Sequence, residues 1–134
     1  AAFADLLNRA RQPFNVNSLA MAASMAALED DDYVTESVAL NRAGMAQMTQ
    51  GLTALGYEFI PSAGNFVAFD SAEPGDGLFQ RMLHEGVIVR PIAEYGLPNH
   101  VRVSIGLASE NERFLAVLAK VGAHANAQKA EPAS

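Results

Sequence analysis

The segment at 87–106, VIVRPIAEYGLPNHVRVSIG, constrains the fold more than any other part of this chain. It holds two short β-type runs joined by a turn containing Gly96-Leu97-Pro98-Asn99. Val101, Val103 and Ile105 alternate with Arg102 and Ser104, the period-2 pattern of a strand with one apolar and one polar face. Arg90 and Arg102 are the only charged residues in the two runs. If the valines face helices, Arg102 points to the opposite, open face, and Arg90 lies close by once the two strands pair. An arginine in an apolar strand is costly unless it meets an anion, and its planar fork suits carboxylate or phosphate. Pattern alone leaves two readings open. Each arginine pairs with an Asp or Glu of the same fold, or the two together anchor a small dianion.

The flanking sequence places helices around these strands. Residues 1–10 form a helical stretch that Gln12-Pro13 breaks. Asn15 or Asn17 caps a helix at 18–28, SLAMAASMAAL, whose all-round apolarity predicts a buried core helix. Glu29-Asp30-Asp31-Asp32 lacks the alternation and the glycine of a calcium loop and reads as a solvated turn whose last Asp caps the next helix. That helix runs over 33–55. Val34, Val38, Met45, Met48, Leu52 and Leu55 lie along one face, Asn41 interrupts the stripe, and Gly56 is the C-cap. Gly44 and Gly51 weaken it and suit close packing on a neighbour. Strands follow at 57–60 and 65–70, then a helix at 76–85 with Asp76 as cap and Gly86 as terminator. Strands at 87–90 and 100–105 lead to a last helix at 110–121, opened by a capping box at Ser109 and Glu112. The order α-α-β-β-α-β-β-α predicts an α+β fold: a three- to four-stranded sheet with helices packed on one face.

Composition narrows the function. The net charge of −6 offers no basic stripe to neutralise phosphates, so no nucleic-acid partner is expected. There are no cysteines, which excludes disulfides and thiolate chemistry and fits a cytoplasmic protein. No apolar run approaches the length of a membrane span. His84, His100 and His124 lack metal-ligand spacing, so no metal site is expected. The two lysines, Lys120 and Lys129, sit near a helix end and in a polar tail, and neither has the apolar surroundings of a Schiff-base lysine. The chain opens on AAFADLL without an initiator methionine, as expected of a piece of a longer protein.

Four motifs in order, RQPFNVNSLA at 11–20, PSAGNFVAF at 61–69, GVIVRPI at 86–92 and YGLPNHVRVSIGLASENERFL at 95–115, resemble the C-terminal part of histidinol-phosphate aminotransferases. These are fold-type-I enzymes dependent on pyridoxal 5'-phosphate. The resemblance runs from about residue 3 to 121 and implies the small domain of that fold at 17–121. Residues 1–16 would be the connection from a missing large domain, and 122–134 a disordered tail. It implies that Arg102 binds the α-carboxylate of glutamate or 2-oxoglutarate and that Arg90 helps hold the phosphate of histidinol phosphate. Asn15 and Tyr95 lie near the motifs without an assigned role.

The family's Schiff-base lysine, its phosphate-binding serine and arginine and its pyridine-facing aspartate have no counterpart here. The expectation is therefore a substrate-recognition domain that binds no pyridoxal phosphate by itself, within a homodimeric enzyme of histidine biosynthesis. Aromatic-amino-acid aminotransferases share much of the pattern and form the alternative enzyme. Alternatives of another class are a stand-alone anion-binding or regulatory module and a structural dimerisation domain.

Overall fold

The computed structural model describes residues 2–11 and 14–122. The elements are α1 (Ala2–Ala10), α2 (Ser18–Leu28), α3 (Asp31–Ala54), β1 (Phe59–Ile60), β2 (Phe66–Asp70), α4 (Gly75–His84), β3 (Arg90–Ile92), a 3₁₀ turn (Ala93–Tyr95), β4 (Leu97–Ser104) and α5 (Ala108–Val121). The chain divides into two units, residues 1–36 and 37–134. Among the described residues no helix is long and apolar enough to cross a membrane. The expectation for the tail lies, beyond Gly122, outside the described residues.

In the first unit the cap of α2 is Asn17, whose side chain accepts from the Ala20 amide at 2.8 Å. The cap before α3 is Asp30, not Asp32: its carboxylate accepts from the Tyr33 amide at 2.9 Å, and Asp31 and Asp32 fill the first helical turn. The expectation of a buried α2 fails. None of its residues is buried, and Leu19 and Leu28 are 82% and 81% exposed. Apolarity says what a helix would bury, not whether its own unit holds a surface to cover it. Every described side chain of the first unit is exposed.

The second unit is built on a four-stranded antiparallel sheet of order β1-β2-β4-β3. Val67 and Phe69 of β2 stand beside Val103 and Val101 of β4 and are buried, so these residues define the covered face. Met48 and Leu52 from α3, Leu78 and Met82 from α4, and Phe114 and Leu118 from α5 complete one core with them. Helices cover one face of the sheet, as the alternation predicted. The apolar stripe of α3 is only half used. Met48 and Leu52 are fully buried, Met45 and Leu55 pack against the core, but Val34 and Val38 remain exposed.

Asn41 breaks that stripe for a reason visible only in the fold: its side-chain amide donates to the Gly64 carbonyl at 3.1 Å. A β-carbon on Gly44 would collide with Ile105 and Asn111, and one on Gly51 with Leu115. The two glycines therefore permit α3 to lie close to the end of β4 and to α5. Asn111, buried on α5, ties the same three elements together. Its Oδ1 accepts from the Gly106 amide at 3.0 Å, and its Nδ2 donates to Gln47 Oε1 at 3.0 Å.

Several boundaries shift from the expected ones. α4 starts at Gly75 after Pro74, so Asp76 lies in its first turn and does not cap it. α5 starts at Ala108. Glu110, not Glu112, reaches back to accept from the Leu107 amide at 2.8 Å, because the chain turns into the helix straight after Gly106. The largest change is in the arginine segment. Residues 87–89 precede the strand, β3 is Arg90–Ile92, and β4 begins at Leu97 instead of 100. Only Gly96 of the proposed turn has a left-handed backbone, with φ 78°. Pro98 sits within β4 beyond His100, the last residue there that pairs with β2, so its missing amide leaves that ladder intact.

Tyr57 closes the core beneath α3 and is buried. Burial pushes its phenol above the ordinary value near 10, the charge of Glu73 adds to this, and Arg81 opposes it. The folded chain thus holds this proton more tightly than the unfolded one. The resulting stability is complete below pH ~10 and lost as pH rises through the folded value. Urea midpoints measured from pH 9 to 11 are expected to fall with pH, and less steeply in Tyr57→Phe. Identical slopes in the two proteins would refute the assignment.

Candidate functional site

The sheet's second face carries the arginines. β-residues that pair across a ladder point to the same side, and here Ala68, Arg102 and Arg90 form one row across β2, β4 and β3. Phe66 and Ser104 form the next row on the same face. The two arginines are thus directly opposite cross-strand partners, a placement that sequence spacing left conditional on strand pairing. Like charges set opposite each other are destabilising unless something negative intervenes.

Their surroundings differ. Arg90 is about half exposed and donates from Nη2 to Glu94 Oε1 at 2.8 Å. The hydrogen bond to Glu94 holds the guanidinium above its ordinary value, helped by the charges of Tyr95 and Glu94. Glu94 is held below the usual carboxylate range by its own backbone amide first, then by the Arg90 hydrogen bond and the charges of Arg90 and Arg102. The bland reading, pairing within the fold, therefore describes Arg90. It does not describe Arg102. Its guanidinium carbon lies 5.0 Å from the centroid of the Phe66 ring, and among the described residues it has no ion pair and no hydrogen bond. A cation over an aromatic face is oriented without its hydrogen-bond donors being used.

The 3₁₀ turn carrying Glu94 joins β3 to β4 and places the carboxylate on Arg90, with the charge of Arg102 acting on it from further away. Neither Glu94 nor Phe66 was identified from the sequence. A glutamate four residues after an arginine, across a proline and ahead of Gly96, was the available signal. Tyr95 is 65% exposed, and Asn15 lies in the first unit. Among the described residues no group of three or more metal-ligating side chains converges. Lys120 is exposed and pairs with Glu85 at 2.7 Å; Lys129 lies outside the described residues.

A helix-backed antiparallel sheet with two cross-strand arginines on its second face places the chain in the α+β class. Residues 1–118 match the model of the aminotransferase class I and II family, and the chain belongs to that family. It is 61% identical over 122 residues, 91% of its length, to histidinol-phosphate aminotransferase 2 of Pseudomonas fluorescens. It is 59% identical over 123 residues, 92% of its length, to the enzyme of the same name from Pseudomonas aeruginosa. Each match covers 33% of the relative, so the chain spans about a third of these curated proteins. The fold superposes on histidinol-phosphate aminotransferase of Sinorhizobium meliloti, solved in complex with pyridoxal 5'-phosphate. The TM-score is 0.73 at 26% identity, over 92% of this chain and 34% of that one. The family implies pyridoxal phosphate as coenzyme.

Proposed function

We propose that this chain is the substrate-recognition small domain, at 17–121, of a homodimeric cytoplasmic aminotransferase that exchanges an amino group between histidinol phosphate and 2-oxoglutarate. Arg102 receives the α-carboxylate of glutamate or 2-oxoglutarate, and Arg90 contributes to holding the phosphate of histidinol phosphate. The observation that carries this reading is the free guanidinium of Arg102, oriented by Phe66 and directly across the sheet from Arg90. Among the described residues no partner takes the five donors of Arg102, and such an arginine beside a second one suits an anion by charge and by geometry. The names of the relatives give the substrate class.

In this reading the described residues supply no Schiff-base amine for pyridoxal phosphate. A Schiff base needs an amine kept neutral by its surroundings, and Lys120 is exposed and ion-paired. The electron-sink chemistry that the coenzyme supplies belongs to the remainder of the complete enzyme in this reading. The task of these residues is to fix the acidic ends of the substrates so that the reacting carbon is held in one place.

Steady-state kinetics of the complete enzyme with histidinol phosphate and with phenylalanine as amino donors test the reading. The expected result is a kcat/KM at least tenfold higher for histidinol phosphate. A preference for phenylalanine would assign the domain to an aromatic-amino-acid aminotransferase instead.

A further inference from the structure

We infer that Glu94 is a ligand-displaced counter-ion that occupies Arg90 in the empty site and yields it to the phosphate of the donor, making it a specificity-determining residue. The inference rests on the proposed role of Arg90 and goes beyond it. Arg90 and Arg102 face each other across β3 and β4, and among the described residues one carboxylate hydrogen-bonds to either of them. That carboxylate is Glu94, 2.8 Å from Arg90 and close enough to Arg102 for the latter's charge to act on it. Both members of the pair are about half exposed, so the bond is weak and water can compete for each partner. A strong buried pair would block the site; an exposed one offsets the repulsion between the arginines and is readily replaced.

The consequence differs between ligands. A carboxylate on Arg102 leaves the Arg90–Glu94 pair in place, because Arg102 has free donors of its own. A phosphate that engages Arg90 competes with Glu94 for the same guanidinium, which gives Glu94 one hydrogen bond from Nη2, and is repelled by the Glu94 carboxylate while that stays in place. It brings up to two negative charges and three acceptor oxygens, against one charge and two oxygens, so the exchange runs in its favour. Glu94 therefore lowers the apparent affinity for the phosphate-bearing donor by the worth of one exposed ion pair and leaves the carboxylate substrate nearly untouched.

Glu94→Gln and Arg90→Ala, singly and together, in the complete enzyme test this through KM for histidinol phosphate and for glutamate. In Glu94→Gln, KM for histidinol phosphate is expected to fall about two- to fivefold, the range of an exposed ion pair. KM for glutamate is expected to change by less than half as much, and in the Arg90→Ala background the Glu94→Gln effect is expected to vanish. Equal improvement for both substrates would mean that Glu94 acts only through its general negative field and would overturn the inference. A rise in KM for histidinol phosphate would show that Glu94 contacts the donor, and would overturn it too, as would no change. Should Arg90→Ala alone leave KM for histidinol phosphate unaltered, the proposed role of Arg90 falls first and this inference with it. Thermal midpoints of the exposed-site variants within ~2 °C of the parent exclude misfolding as the cause of a shift.

Discussion

Replacing Arg102 with alanine in the complete enzyme is expected to lower kcat/KM for glutamate about 30- to 1,000-fold, a loss of ~2–4 kcal/mol in transition-state binding. The magnitude follows from removing one partner of a charged, hydrogen-bonded pair while the ligand carboxylate is still taken out of water. The folded domain loses little, because among the described residues the Arg102 side chain makes no ion pair or hydrogen bond, and its recorded side-chain contact is the one over Phe66. The variant should therefore keep its thermal midpoint while losing activity, which separates binding from folding. Arg102→Lys is expected to recover only part of the loss, since an ammonium cannot offer two parallel donors to a carboxylate. Glutamate kinetics within twofold of the parent in Arg102→Ala would mean that the open face is not the carboxylate site.

Phe69→Ala is expected to destabilise the fold by about 3–5 kcal/mol. The side chain is fully buried on β2, one residue before its end. It meets Tyr57 edge-on at 5.3 Å and Phe114 edge-on at 6.0 Å, so one ring couples β2 to the chain leaving α3 and to α5. Each such aromatic pair adds roughly 0.5–1.5 kcal/mol beyond the area it buries. Against a typical stability of about 5–15 kcal/mol, the loss is a large fraction of the total. Urea denaturation followed by circular dichroism measures it, and Phe69→Leu, which refills most of the volume, should cost visibly less. A change under ~1 kcal/mol in Phe69→Ala would contradict the packing described for this face of the sheet. Because Ala68 and Arg102 lie on the other face, this substitution and that of Arg102 report on opposite sides of the same strands.

How much of this was legible in the residue order depended on whether the signal was local. Val101, Val103 and the alternating Arg102 gave the two faces of β4, because a strand's period of two is a property of the backbone alone. Gly56 and Gly86 marked helix ends, and both have positive φ, 80° and 76°. The caps were less secure. Asn17 was one of two candidates, while Asp30 and Glu110 each displaced a neighbour of the same type, since several acidic residues in a row satisfy a cap equally on paper. The start of β4 was misplaced because proline and asparagine suggest a turn wherever they occur, and only the end of the β2 ladder at His100 explains why Pro98 is tolerated in the strand.

The sequence by itself determined the α+β class, the covered and open faces of the sheet, and the two arginines as the residues to watch, all from periodicity and the cost of charge in an apolar run. Tertiary structure alone decided that Arg90 and Arg102 are direct partners and that Glu94 holds one of them while Phe66 orients the other. It also decided that α2, apolar as it is, has no cover within its own unit. The reason is physical: period and propensity act over a few residues, whereas strand register and helix burial depend on which distant surfaces meet, and that is settled only when the chain folds.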